Sequence, residues 1–265
     1  MDALHEKNLA LRARLRDLGR LAVAFSGGTD SALLLAVARE ELGGNVLALT
    51  AVSPAFSARE RAEAEQFCRA RGIRQLSLPV WADISDVFAR NPRDRCYHCK
   101  RALLERLLTE ARAQGFETLA EGANVDDLGD YRPGRRAVAE LGVLSPLLEA
   151  GLTKAEIRGL SRSLGLPTWD KPSCACLASR FPYAVPVTRE ALARVEQAED
   201  YLRSLGLRQL RVRVQGDGAR LELVPEDFGL VLSRRAEIYA HLRALGFATT
   251  ALDLLGYRTG SLNEQ

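Results

Sequence analysis

Residues 23–35 read VAFSGGTDSALLL, an apolar run that breaks into Ser26, Gly27, Gly28, Thr29, Asp30 and Ser31 and then resumes. The first half, LAVAF at 21–25, suits a short central parallel strand. The second, SALLLAVAREEL from Ser31, has the length and pattern of an amphipathic helix. Between them the spacing predicts a tight strand-to-helix turn. Two adjacent glycines let backbone amides approach a ligand closely, and a helix start offers N–H groups and a positive dipole end to a phosphate. The turn matches neither G-x-x-x-x-G-K-[ST] nor G-x-G-x-x-G. Its Asp30 carboxylate makes sense beside pyrophosphate if a divalent cation lies between them. The competing reading is an ordinary cap, with Asp30 serving its own helix.

Strand and helix signals alternate outward from this turn. NVLALTAV (45–52), RQLSLPV (74–80) and ETLAEGAN (117–124) read as strands. SARERAEAEQFCRARG (57–72), CKRALLERLLTEARAQG (99–115) and TKAEIRGLSRSLG (153–165) read as helices, the last with a capping box of Thr153 and Glu156. Such alternation predicts a parallel sheet with helices on both faces, and ligands then sit beyond the carboxyl ends of the strands. After about residue 184 the order changes to helix (189–206), hairpin (207–215 and 219–224), helix (234–246) and a last strand (248–256). The expectation is an α/β domain over 1–184 and a small α+β domain over 185–265.

The composition bounds the function. With 265 residues, 47% hydrophobic, the chain has ample core. No apolar stretch approaches the roughly 20 residues of a membrane span, and the charged N-terminal helix lacks the apolar core of a signal peptide. A cytoplasmic protein is expected. A net charge of +3 is too mild for wrapping nucleic acid and suits a small anionic substrate. The apolar face of the N-terminal helix hints at a homo-oligomer.

SGGTDS after a buried strand resembles the PP-loop of the ATP pyrophosphatases, an adenine nucleotide alpha hydrolase-like fold. EGANVDDLGDYRPG at 121–134 is similar to a second block of that family. The resemblance implies ATP with Mg2+ on Ser26, Gly27, Gly28, Thr29, Asp30, Ser31 and Asn124, with Asp126 and Asp127 near nucleotide or metal. A plain polar turn would use the same residues. KPSCACLASRFPYAVPVT (171–188), with DYRPG and RVRVQGDGARLEL (211–223), resembles the LarE family of pyridinium-biscarboxylate mononucleotide sulfurtransferases over nearly the whole chain. That resemblance implies adenylation of a carboxylate of pyridinium-3,5-biscarboxylic acid mononucleotide, then its conversion to a thiocarboxylate for nickel-pincer cofactor assembly. Ala184 departs from the Gly expected after SRFPY. Carried over, Ser179 and Arg180 grip the substrate phosphate or the pyrophosphate. Arg211 and Arg213 form a second anion pocket on one strand face, and Glu199 and Glu222 orient those guanidinium groups or act on the bound substrate. The bland reading of those arginines is a solvated strand face.

Five cysteines without an export signal read as thiols or metal ligands. Cys68 falls at an apolar helical position and reads as core. Cys96, Cys99, Cys174 and Cys176 leave three readings open: a zinc site, a 4Fe-4S cluster on Cys96, Cys99 and Cys176 with one iron open for sulfide, or sacrifice of the Cys176 sulfur. His98 reads as a surface residue. The family resemblance favours the cluster, with Cys176 and Asp30 as the catalytic residues. Two competing functions are a PP-loop tRNA thiolase, which needs a basic RNA-binding module, and a nucleotide-binding regulator without chemistry.

Overall fold

The computed structural model describes residues 3–129, 133–172 and 175–258. The chain divides into one unit of residues 1–87 and 94–173 and a second of residues 88–93 and 174–265. In chain order the first unit carries α1 (Ala3–Leu18), β1 (Leu21–Ala24), α2 (Thr29–Leu42), β2 (Val46–Val52), α3 (Ala58–Ala70) and β3 (Arg74–Pro79). There follow most of α4 (Trp81–Arg90), then α5 (Arg95–Ala113), β4 (Leu119–Ala120), α6 (Gly134–Glu140), α7 (Pro146–Glu149) and α8 (Lys154–Ser163). Its strands lie in the order β3-β2-β1-β4, and every pairing is parallel. The α/β expectation holds.

The strand order reverses at β1. The chain leaves β1 for β2 and β3 on one side, then crosses to β4 on the other. A crevice opens at such a reversal, beyond the carboxyl ends of the strands. The SGGTDS turn follows β1 and the EGAN segment follows β4, so both sequence blocks flank the reversal. The ETLAEGAN strand is shorter than expected, at two residues. A single parallel bridge, Ala120 to Leu144, extends the sheet beyond it.

Buried aliphatics of α1, α2, β1 and α8 make one core. Leu11 and Leu15, the apolar face of α1, are fully buried in it, so the face that hinted at self-association is occupied within its own unit. The capping box at α8 forms as expected: Thr153 Oγ1 accepts from Glu156 N–H, and Glu156 accepts from Thr153 N–H at 2.8 Å.

The second unit holds α9 (Arg189–Ser204), β5 (Leu210–Gln215), β6 (Gly218–Leu223), α10 (Phe228–Ser233), α11 (Arg235–Ala244) and β7 (Thr250–Leu252). β5 and β6 form the antiparallel hairpin, and β7 joins β6 in parallel. Residues 88–93 belong here because Asn91 is buried against the SRFPY segment. Its Nδ2 donates to Pro182 O and Val185 O, both at 2.7 Å, and its carbonyl accepts from Ala184 N–H at 2.9 Å. Ala184 has φ +62°, the left-handed conformation that favours glycine. The position where the resemblance led to the expectation of Gly thus has a backbone that favours glycine.

Candidate nucleotide and sulfur sites

Phe25 N–H still bonds Leu49 O at 2.8 Å, and the chain turns immediately afterwards. Gly27 makes the corner at φ +76°, where an added Cβ would stand 3.0 Å from the Ala64 side chain on α3. Gly28 is the N-cap of α2 and brings no side chain to it. Asp30 lies within the first turn of the helix, and the N-cap position itself is Gly28. Ser26 Oγ accepts from Gly28 N–H at 3.3 Å and lies 3.2 Å from Ser31 Oγ. Thr29 is buried and donates its hydroxyl to Thr168 O at 2.8 Å, pinning the turn to the segment after α8.

Asp30 is held by a lysine. Lys154 Nζ lies 2.7 and 2.6 Å from its two carboxylate oxygens, while Lys154 N–H donates to Asp126 Oδ2 at 2.8 Å. A second lysine, Lys171, donates to Gly27 O at 3.0 Å and pairs with Glu63 at 2.7 Å. A third, Lys100, pairs with Glu121 at 2.8 Å; that carboxylate also accepts from Ser145 Oγ and Ala123 N–H. Sequence reasoning missed all three. The signal was available: the chain has four lysines against 33 arginines.

The loop after β4 comes as close as backbone permits. A Cβ on Gly122 would stand 2.9 Å from Ser31 N. Asn124 and Asp127 are both buried and close a capping box around a short 3-10 turn. Their side chains thus hold the turn, and Asp126 reaches the start of α8. Asp130, Tyr131 and Arg132 of DYRPG lie outside the described residues.

Cys96 and Cys99 stand one turn apart at the start of α5, exposed and half-buried respectively. Gly134 opens α6 against them, where an added Cβ would lie 3.4 Å from Cys96 O. Buried Tyr97 donates to Glu140 at 2.7 Å beneath the Arg136 guanidinium, fastening α5 to α6. Exposed His98 pairs with Asp94. Cys68 is buried as expected, its thiol pushed up to about 12 by burial.

In the second unit Cys176 is half-buried and caps the 3-10 turn Leu177–Arg180; Cys174 lies outside the described residues. Arg180 is 3% exposed, with Nε and Nη2 on the two oxygens of Glu199 at 2.8 and 2.9 Å. Its Nη1 donates to Ala175 O, Cys176 O and Ser179 Oγ. Glu199 is fully buried and also accepts from Val212 N–H and Arg203. Burial raises its pKa, but the charges and hydrogen bonds of Arg180 and Arg203 prevail and hold it below the usual carboxylate range.

Arg211 and Arg213 are buried, not solvated. Arg213 Nε meets Glu222 Oε2 at 2.9 Å, and its Nη1 donates to Ser179 O. Burial pulls its guanidinium below the ordinary value against the attraction of Glu222. Arg211 donates to Leu210 O and stacks over Tyr257, 5.1 Å from the ring centre. Among the described residues no three His, Cys, Asp or Glu side chains gather to hold a metal ion.

The asparagine synthase family matches residues 8–115, which include the glycine turn. The chain is 38% identical over its whole length to the pyridinium-3,5-bisthiocarboxylic acid mononucleotide synthase of Lactiplantibacillus plantarum, covering 96% of that protein. It belongs to that synthase family. An uncharacterized protein of Synechocystis sp. is 42% identical over 98% of both chains. A subunit of the Thermoplasma volcanium glutamine-hydrolyzing GMP synthase is 28% identical over 58% of this chain and 54% of its own. The glycine turn lies on the first unit of the chain, within the residues matched by the asparagine synthase family, and Cys176 lies on the second.

Proposed function

We infer that this chain uses ATP to adenylate a carboxylate of pyridinium-3,5-biscarboxylic acid mononucleotide and then replaces AMP by sulfur. The observation that carries this is the whole-length likeness to a named bisthiocarboxylic acid mononucleotide synthase, with the glycine turn at the reversal of the sheet. In the first step a carboxylate oxygen attacks the α-phosphorus and the bond to the β-phosphate bridging oxygen breaks. Pyrophosphate leaves with that electron pair. In the second, sulfide attacks the carbonyl carbon of the acyl adenylate and AMP departs, leaving a thiocarboxylate.

Each residue's part follows from its place. The amides of Gly27, Gly28 and Thr29 receive the departing pyrophosphate. Ser26 and Ser31 shape the turn from within, and Asn124 fixes the loop opposite. Mg2+, when bound, would supply positive charge against the departing pyrophosphate. Asp30 fits it as one carboxylate ligand, since this ion is commonly held by one or two carboxylates plus phosphates. Ser179, Arg211 and Arg213, ordered by Glu222, receive the substrate's phosphate. Arg180 and Glu199 position the Cys176 loop.

For the sulfur the family resemblance points to a 4Fe-4S cluster, which Cys96, Cys99 and Cys176 would hold, although among the described residues the structure does not gather these thiols into a metal site. The donors are of the right chemistry: three thiols outside any disulfide, two of them spaced one helical turn apart. Held there, the cluster would supply sulfur at the sulfide level to the acyl adenylate. The second reading, sacrifice of Cys176, is favoured by one observation: a buried Arg–Glu pair fixes the carbonyl of that cysteine. The reaction belongs in the cytosol, where thiols stay reduced. No described helix is long and apolar enough to cross a membrane.

The test is anaerobic incubation with ATP, Mg2+ and the mononucleotide, following pyrophosphate and the mass of the pyridinium product. Substrate-dependent pyrophosphate and replacement of oxygen by sulfur are expected. Pyrophosphate without any sulfur in the product would leave only an adenylating enzyme.

A further inference from the structure

We propose that Lys154 is the cation that takes the departing pyrophosphate, and that it rests on Asp30 until nucleotide and metal arrive together. The proposal rests on reading the glycine turn as the pyrophosphate site. It begins with lysine usage: the chain uses arginine for 33 of its 37 basic side chains, yet puts lysine on the turn's own carboxylate. Arginine would grip that carboxylate with a rigid two-pronged fork. Lysine is a point charge on a flexible stem, which can hold one anion and swing to another.

The geometry shows what it holds now. Both oxygens of Asp30 accept from one ammonium, at 2.7 and 2.6 Å, so Lys154 occupies the carboxylate that the proposed metal would need. The pair is about a quarter exposed, 28% for Lys154 and 24% for Asp30, so the head group has room to leave. The base of the side chain is fixed. Lys154 follows the Thr153 cap of α8, and its N–H is bonded to Asp126 Oδ2 at 2.8 Å. A swing about the stem thus leaves the helix in place.

Charge dictates the order of events. Metal alone must displace Lys154 from Asp30. Phosphates alone must draw Lys154 off and leave two anions facing each other. When both arrive, Asp30 passes to the metal and Lys154 to the phosphate oxygens, and no charge is left unpaired. Lys171 stays on Gly27 O and Glu63 throughout, holding the corner.

The probe is Mn2+ binding to nucleotide-free protein, read by electron paramagnetic resonance, beside pyrophosphate release at saturating ATP. Lys154→Met should tighten Mn2+ by about fivefold, because its competitor is gone. The same variant should slow pyrophosphate release by about 100-fold. Asp30→Asn added to Lys154→Met should abolish the gained Mn2+ affinity, naming Asp30 as the ligand while removing both charges at once. Lys171→Met removes an equal charge nearby and should leave Mn2+ affinity unchanged. Equal tightening in Lys171→Met, unchanged affinity in Lys154→Met, or near-normal turnover in Lys154→Met would each overturn the proposal. A wild-type protein that releases no pyrophosphate would instead overturn the reading of the turn.

Discussion

Arg180 lays Nε and Nη2 against the two carboxylate oxygens of Glu199 and spends its remaining Nη1 on the carbonyls of Ala175 and Cys176. The guanidinium therefore ties the cysteine loop to α9. Breaking this buried pair from one side, by Arg180→Met or Glu199→Gln, should cost about 3–5 kcal/mol of stability. Arg180→Lys keeps the charge and loses the fork; it should fold, keep substrate-dependent pyrophosphate release, and lose sulfur transfer. A raised KM for the mononucleotide with intact sulfur transfer would show Arg180 gripping substrate. Because the folded pKa of Glu199 is depressed, its contribution is present above the unfolded value of about 4.3 and is lost as pH falls through the folded one. The acid limb of a melting profile should be shallower in Glu199→Gln.

Ala184→Gly should stabilise the protein by about 1 kcal/mol. The left-handed φ of +62° costs alanine more than it costs glycine. The hydrogen bond to Asn91 O uses only backbone and survives the change. A melting temperature that falls in the variant would contradict this account.

Gly122→Ala should separate fold from function. The added methyl would meet Ser31 N at 2.9 Å and Asp30 C at 3.2 Å, both backbone, so the loop after β4 must retreat from the turn. Overpacking of this kind costs about 1–3 kcal/mol. Far-ultraviolet circular dichroism should be retained while ATP binding, by calorimetry, is lost. Undiminished binding would mean that this close approach does not shape the nucleotide site.

The cysteines divide by environment. Under mild alkylation at pH 8, Cys68 should stay unmodified until the protein unfolds, since burial suppresses its thiolate. Cys96→Ala, Cys99→Ala and Cys176→Ala should each lose iron and sulfur transfer while still releasing pyrophosphate. Under sacrifice, only Cys176→Ala abolishes transfer, and wild type stops after one turnover about 34 Da lighter, the mass of H₂S lost from a thiol. Cys174→Ala is expected to be mild in either case.

Local chemistry made much of this legible in sequence. The SGGTDS break, the Thr153–Glu156 box and the alternation of 211–223 each depend on near neighbours along the chain, and each formed. What escaped depends on distant partners. Nothing near Lys154 announces Asp30, 124 residues earlier, and nothing in RVRVQ says that Arg213 is buried. Strand alternation gives a shared face, not its exposure. The Glu121 side chain likewise meets distant partners, Lys100 and Ser145, that the ETLAEGAN run does not announce.

The four lysines have a practical corollary. Amine-selective acylation of this chain can mark only Lys7, Lys100, Lys154 and Lys171, besides the α-amino group. Peptide mass mapping would then resolve every site at once. Lys7, paired with Glu156 on α8, serves as an internal reference for the shielding of its neighbours. The protein thus carries its own footprinting labels, and an occupant of the glycine turn would register as a change in labelling rate at named positions without any engineered tag.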